Sequence, residues 1–201
     1  KMLEAARAHG LRILGPNSLG TYSPWGRITF AETPPGEAVP GGVGAISQSG
    51  GIGVDFIRTG QARGLRFSGV VTIGNSADLG PGDFLEHFLA DPDTRVVGMY
   101  LEDIGEGRRF FELLQSARGR KPVVILKGGR SSQGRKAVMS HTGTLAGAER
   151  VWLALAEQTG CVLVDTIEEL LDTLLLFQTI TARRDRETRE IVLFGNGGGA
   201  S

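Results

Sequence analysis

Short apolar runs alternating with amphipathic stretches constrain this chain most. Val43–Ser47, Phe67–Ile73, Arg95–Leu101, Pro122–Lys127 and Cys161–Val164 read as strands. Between them Gly53–Arg63, Gly82–Ala90, Glu106–Arg118 and Ala148–Thr159 carry helical spacing, and Thr166–Ile180 follows as a closing helix. Thr166-x-x-Glu169 at its start has capping-box spacing, with Thr bonding a backbone donor and Glu reaching back. The alternation predicts βα units and therefore an α/β domain built on a five-stranded parallel sheet with helices on both faces.

The punctuation sets the expected boundaries. Pro24, the cluster Thr33-Pro34-Pro35-Gly36 and then Pro40-Gly41-Gly42 break any regular element. Before them Ala5–His9 reads as a helix and Leu11–Leu14 as a strand, the end of a preceding α/β domain. After the fifth strand and its helix, the charged run Thr181–Arg189 reads as a solvated linker or a basic contact surface, and Glu190–Phe194 as a further strand. The expected organisation is thus the tail of one domain over 1–30, a linker over 31–42, a complete domain over 43–182, and a linker with the start of another domain over 183–201.

Composition narrows the function classes. Lys+Arg 22 balance Asp+Glu 22, which removes the broad electrostatic argument for nucleic acid or an anionic membrane as partner. No apolar run reaches the roughly 20 residues that a bilayer-spanning helix needs. The single cysteine, Cys161, excludes an intrachain disulfide framework, and with only three histidines it does not easily build a structural zinc site. No metal site and a reducing, cytoplasmic setting are the expectation. The opening Lys1-Met2-Leu3-Glu4 reads as the middle of an Ala-rich helix, as expected of part of a longer protein. Glycine is in excess, 31 of 201 residues, roughly twice the usual share.

Two of those glycine clusters follow strands. Ser47-Gln48-Ser49-Gly50-Gly51 joins a strand to a helix, where the first helical N–H groups lack intrahelical acceptors and can receive a phosphate, helped by the serine hydroxyls. The same glycines also serve an ordinary tight turn. Gly195-Asn196-Gly197-Gly198-Gly199 repeats the device before a helix that the sequence does not reach, and reads equally as a terminal tail. His141, in Ser140-His141-Thr142-Gly143 within the polar stretch 128–147, is either a phosphoryl store or a loop histidine bonded to its hydroxyl neighbours. His9 and His87 fall on helix surfaces and suggest no chemistry. Glu102 ends the third strand at the edge where open parallel sheets bind ligands. It could accept one imidazole N–H and fix the tautomer, as a carboxylate orients a triad histidine; Asp103 competes for that task, and strand-end acids also stand simply solvated.

Taken in order, these residues resemble the NDP-forming acyl-CoA synthetases, the superfamily of ADP-forming acetyl-CoA synthetase and the succinyl-CoA synthetase α subunit. Gly15-Pro16-Asn17-Ser18-Leu19-Gly20 resembles the end of a CoA-binding Rossmann domain, and Ile46–Gly53 the phosphate-site helix of a flavodoxin-like ligase domain. Gly74-Asn75-Ser76-Ala77-Asp78 and Tyr100-Leu101-Glu102 fall in family order, Ser140–Gly143 resembles the phosphohistidine loop, and Gly195–Ser201 the opening of the next ligase domain. The resemblance implies His141 and Glu102 as catalytic residues. It implies Ser47, Gln48, Ser49, Gly50, Gly51, Asn196, Gly197 and Gly198 around phosphate, and Asn17, Ser18 and Asn75 near acyl and CoA groups. Many relatives carry cysteine where this chain has Ser18, so a thiol there is not expected to be needed.

The implied reaction converts acyl-CoA, ADP and phosphate into a carboxylic acid, CoA and ATP through a phosphohistidine. Its partners are a CoA-binding domain, an ATP-grasp domain or subunit and a small carboxylic acid; CoA and Mg-ADP or Mg-ATP belong to the full enzyme, and this stretch alone is expected to hold neither tightly. Two other readings fit parts of the sequence. One is a CoA-sensing regulatory arm of a multidomain protein acetyltransferase, a class that often loses the histidine. The other is a mononucleotide or flavin module, against which stand the 6% aromatic content and the placement of Trp25 and Trp152 outside strand-end loops.

Overall fold

The computed structural model describes residues 1–30, 38–128 and 149–180. Helix α1 (Met2–Ala8) and strand β1 (Gly20–Tyr22) precede the alternating region. That region runs β2 (Val43–Ser47), α2 (Gly50–Ala62), β3 (Phe67–Thr72), α3 (Pro81–Ala90), β4 (Val96–Leu101), α4 (Gly107–Ala117) and β5 (Val123–Lys127). It closes with α5 (Glu149–Thr159), β6 (Val162–Val164) and α6 (Ile167–Thr179). One sheet has the order β1-β3-β2-β4-β5-β6. Strands β2 to β6 are parallel, as in the register Ser47↔Thr72, Ser47↔Tyr100, Leu101↔Lys127 and Leu126↔Val164.

Alternate residues of each strand feed opposite faces. Val43, Ala45, Val96, Val124 and Leu126 pack with Phe56 and Ile57 of α2 and Leu170, Leu171 and Leu174 of α6. Ile46, Val97, Met99, Leu101, Val123 and Ile125 pack on the other face with Phe88 of α3, Phe110 and Leu114 of α4 and Trp152 of α5. Both faces are covered, which explains why the strands read as nearly unbroken apolar runs. The helix starts are built locally. Thr166 Oγ1 accepts from Glu169 N (3.1 Å) as expected, but Glu169 Oε2 accepts from Asp165 N (2.8 Å), one residue before the cap. Pro81 opens α3, and Asp83 Oδ2 accepts from Gly80 N (2.9 Å).

The first thirty residues differ from the expectation. Gly20–Tyr22 forms a sixth strand, antiparallel to β3 with Gly20↔Thr72 and Tyr22↔Val70. The five expected parallel strands therefore carry an added antiparallel edge. Leu11–Leu14 forms no strand. Its backbone instead lies along the loop after β3, where Leu79 N donates to Ile13 O (3.2 Å), Ala77 N to Gly15 O (2.9 Å) and Asn75 N to Pro16 O (3.0 Å). Leu14 packs against the second core cluster, so its apolar character serves the face of the sheet rather than a ladder. The further strand expected at Glu190–Phe194 lies outside the described residues, as do residues 31–37, 129–148 and 181–201.

Candidate functional site

A cleft of about 670 Å³ opens at the carboxyl edge of the parallel strands, lined among others by Gln48, Asn75, Asp83, Glu102 and Arg109. This is the edge where open α/β sheets bind ligands. Each wall has a local cause. The β2–α2 turn is tightened by Ser47, whose Oγ donates to Ser49 O (2.7 Å) and accepts from Ser49 N (3.2 Å). Ser49 caps α2, its Oγ accepting from Ile52 N (3.4 Å). Both serine hydroxyls are thus engaged within the turn, and the groups the helix cannot satisfy internally are its first N–H donors, including those of Gly50 and Gly51.

Gln48 performs a task the sequence did not suggest. Its N–H donates to Tyr100 O (3.1 Å), while its Oε1 accepts from Glu102 N and from Asp103 N (2.8 Å). The turn that starts α2 is therefore bonded directly to the end of β4. Glu102 is half-buried, and its Oε1 accepts from the Tyr100 hydroxyl at 3.3 Å. Burial, followed by the adjacent Glu102 charge, pushes the Tyr100 phenol up to about 12, so it remains a neutral donor to the carboxylate. Asp103 is exposed and its Oδ2 accepts from Gly105 N (3.3 Å), closing a turn. The Asp103 carboxylate is therefore occupied by its own turn, whereas that of Glu102 closes no turn.

The opposite wall comes from the segment around 11–18 and the loop after β3. Asn17 and Asn75 are brought together, Asn17 Nδ2 donating to Asn75 Oδ1 at 3.4 Å. Asn17 (φ 58°) and Ser76 (φ 50°) hold the left-handed backbone conformation, uncommon for residues other than glycine and found where surrounding structure over-determines it. The Ser18 hydroxyl donates to Thr72 O and its oxygen accepts from Gly20 N (2.9 Å), which ties it to the β1–β3 edge. Asn75 lines the cleft with Asn17 bonded to it; Ser18 turns toward the sheet. His141, Asn196, Gly197 and Gly198 lie outside the described residues.

Two cationic side chains here, Arg12 and Arg109, are already paired. Arg109 reaches Asp83 (3.0 Å) and Glu86 (2.7 Å), and Arg12 Nε donates to Asp78 (2.9 Å). Asp78 also accepts from Ile13 N (2.8 Å). The Arg12 hydrogen bond first, and the Ile13 N–H second, hold the Asp78 carboxyl below its usual range. The folded form favours the anion, so this contribution is present above about pH 4 and is lost as pH falls through the lower folded value. The Ile13 amide resonance is accordingly expected to shift in one titration below about pH 4 in the native chain. It should stay fixed in Asp78→Asn; a native resonance unmoved down to acid unfolding contradicts this. Among the described residues no group of three or more His, Cys, Asp or Glu could hold a metal ion. Among them, too, no helix is long and apolar enough to cross a membrane.

An open, mainly parallel sheet covered on both faces, with a ligand-sized cleft at its carboxyl edge, defines a flavodoxin-like α/β domain. Residues 40–177 match the family described as the succinyl-CoA ligase like flavodoxin domain, and the chain belongs to that family. It is 37% identical over 201 residues to the α subunit of acetate–CoA ligase (ADP-forming) I of Pyrococcus furiosus, covering 99% of this chain and 42% of that subunit. It is 35% identical over 207 residues to 4-hydroxybutyrate–CoA ligase (ADP-forming) of Nitrosopumilus maritimus, covering 99% of this chain and 28% of that protein. Among solved structures it is similar to the dinucleotide-forming acetyl-coenzyme A synthetase 1 of Ca. Korarchaeum cryptofilum in complex with phosphate and ADP. That match has a TM-score of 0.80 and 32% identity, over 88% of this chain and 38% of the other. The chain therefore spans well under half the length of these relatives.

Proposed function

We propose that this chain supplies the phosphoryl-transfer domain of an NDP-forming acyl-CoA synthetase. The observation that carries the reading is the Gln48 bridge, which bonds the turn opening α2 to the backbone of Glu102 and Asp103. An anion-seeking helix start is thereby tied to the carboxylate that lines the cleft, as transfer between a bound phosphate and an imidazole requires.

In this reading a phosphate oxygen attacks the acyl-CoA carbonyl and the CoA thiolate leaves, giving an acyl phosphate. An imidazole nitrogen of His141 then attacks phosphorus and the carboxylate leaves. The phosphohistidine passes its phosphoryl group to ADP, freeing the imidazole and forming ATP. Glu102 accepts the N–H of the other ring nitrogen, which directs the attacking lone pair outward. The Ser47–Gly51 turn offers backbone donors to phosphate, and Asn196, Gly197 and Gly198 are assigned the same role. Asn17 and Asn75 are assigned to the acyl and CoA side, while Ser18 holds their segment to the β1–β3 edge. CoA and Mg-nucleotide are substrates held with a CoA-binding domain and an ATP-grasp domain or subunit.

The relatives cited are CoA ligases and synthetases, so a CoA-sensing acetyltransferase arm is not the favoured reading. The complete protein, given acetyl-CoA, ADP, phosphate and Mg²⁺, is expected to release ATP and free CoA in equal amounts. Binding of CoA with neither product formed would contradict the synthetase reading.

A further inference from the structure

Lys127 closes the apolar strand β5, yet its side chain is only 5% exposed. Its Nζ donates to Glu102 O (2.7 Å) and to Gly128 O (2.7 Å) and lies 5.6 Å from the centroid of the Trp152 ring. Two of its N–H groups are thus satisfied by carbonyls, and the ring offers its π-face to the charge. Burial lowers the Lys127 ammonium from its usual value, against the upward pull of Glu102 and Asp103. A cation in such a place is costly to desolvate, and an apolar side chain of similar length would fill the space more cheaply. What the charge accomplishes is at the sheet edge. Gly128 N also donates to Leu101 O (2.8 Å), so the ends of β4 and β5 are cross-tied by two independent contacts.

The Glu102 main chain is consequently held on both flanks. Its N–H is taken by Gln48 Oε1, its carbonyl by Lys127 Nζ, and its carboxylate receives the Tyr100 hydroxyl. Glu102 also stands on the wall shared by the polar cleft and a second, mainly apolar cavity of about 590 Å³ that contains Lys127 and Trp152. The Leu101–Glu102 peptide is held by Gly128 N on its carbonyl and Gln48 on its N–H, and Lys127 supplies the matching tie on the Glu102–Asp103 peptide, opposite the Gln48 bond to Asp103 N. Gly128 adds a steric limit: a Cβ there would lie 2.7 Å from the Tyr100 hydroxyl oxygen and 3.2 Å from Glu102 Cγ.

We propose that Lys127 is a positioning residue for phosphoryl transfer, fixing the Glu102 main chain against the end of β5 so that its carboxylate meets the cleft in one orientation. The proposal rests on the phosphohistidine reading above. A misplacement of about 1 Å in such an arrangement can cost about 10²-fold in rate.

The test uses the complete protein and separates two stages: phosphoenzyme formation from acetyl phosphate, and arsenolysis of acetyl-CoA, which needs no histidine transfer. Lys127→Met is expected to slow the first by about 10- to 100-fold and leave the second within about 2-fold. Lys127→Arg should recover part of the lost rate. In a Glu102→Gln background Lys127→Met should cost little more, because both changes act through one group. Equal loss in both stages would show a general structural role and overturn the proposal. So would native phosphoenzyme rates in both Lys127 variants, with the synthetase reading left standing. Absence of phosphoenzyme in the unmodified protein would instead remove the parent reading and this one with it. Should Lys127→Met fail to fold, the same two-stage comparison on Lys127→Arg decides.

Discussion

Glu102→Gln in the complete protein is expected to slow phosphohistidine formation by about 10²- to 10⁴-fold while changing stability by no more than about 0.5 kcal/mol. The substitution keeps the side chain's shape. A carboxamide oxygen can still accept from the Tyr100 hydroxyl, which now bonds Glu102 Oε1 at 3.3 Å, and the main-chain contacts to Gln48 and Lys127 are untouched. What disappears is the negative charge. As an imidazole nitrogen bonds phosphorus the ring becomes cationic until it loses its other proton, so a carboxylate beside that N–H stabilises the developing charge and a neutral amide does not. Rapid-quench measurement of label incorporation reads the rate, and a thermal melt reads the fold. An unchanged rate would take Glu102 out of the mechanism.

The second large effect concerns the other wall. Gly74 has φ +54°, and a Cβ placed on it would lie 2.3 Å from both Asn17 O and Pro16 O. These are backbone atoms, with no side chain that could swing aside. Gly74→Ala therefore combines strain in the left-handed region, about 1–3 kcal/mol, with displacement of the segment docked on it. The bonds from Asn75 N to Pro16 O and from Ala77 N to Gly15 O would be stretched or lost, each worth about 1 kcal/mol. A loss of roughly 2–4 kcal/mol in denaturant unfolding is expected. It should come with faster hydrogen exchange at the Asn75 and Ala77 amides and weaker binding of acyl-CoA. Native exchange at both amides would show that the 11–18 segment is not seated as described.

The parallel strands were legible because burial on both faces leaves an apolar signature that needs no knowledge of neighbours: β2 falls on Val43–Ser47 in sequence and structure alike, and β3 to β6 end within a residue of expectation. Strand β1 was not. Gly20-Thr21-Tyr22 has no run or alternation of its own and is a strand only because β3 lies beside it. The converse holds for Leu11–Leu14, whose apolar residues suggest a ladder but whose backbone satisfies loop donors such as Leu79 N.

At the site, Glu102 could be picked out as a strand-end acid, and the choice over Asp103 gained a physical basis only from the turn that Asp103 closes on Gly105. Gln48 reads as part of a phosphate turn, and its carboxamide oxygen is in addition bound to main-chain N–H groups 54 and 55 residues away. No local spacing encodes such a contact. Lys127 did leave a signal: a lysine completing Val123–Lys127, a strand otherwise wholly apolar, is placed where only a paired cation can be buried.

The account as a whole is tested most directly by locating phosphorus. The complete protein and its His141→Ala variant, incubated with labelled ATP and Mg²⁺, would be analysed for acid-labile, base-stable label and the modified residue read by mass spectrometry. One phosphoryl group on His141, and none in the variant, is the predicted result. Label retained in full after His141→Ala would contradict it, as would steady turnover to ATP by that variant.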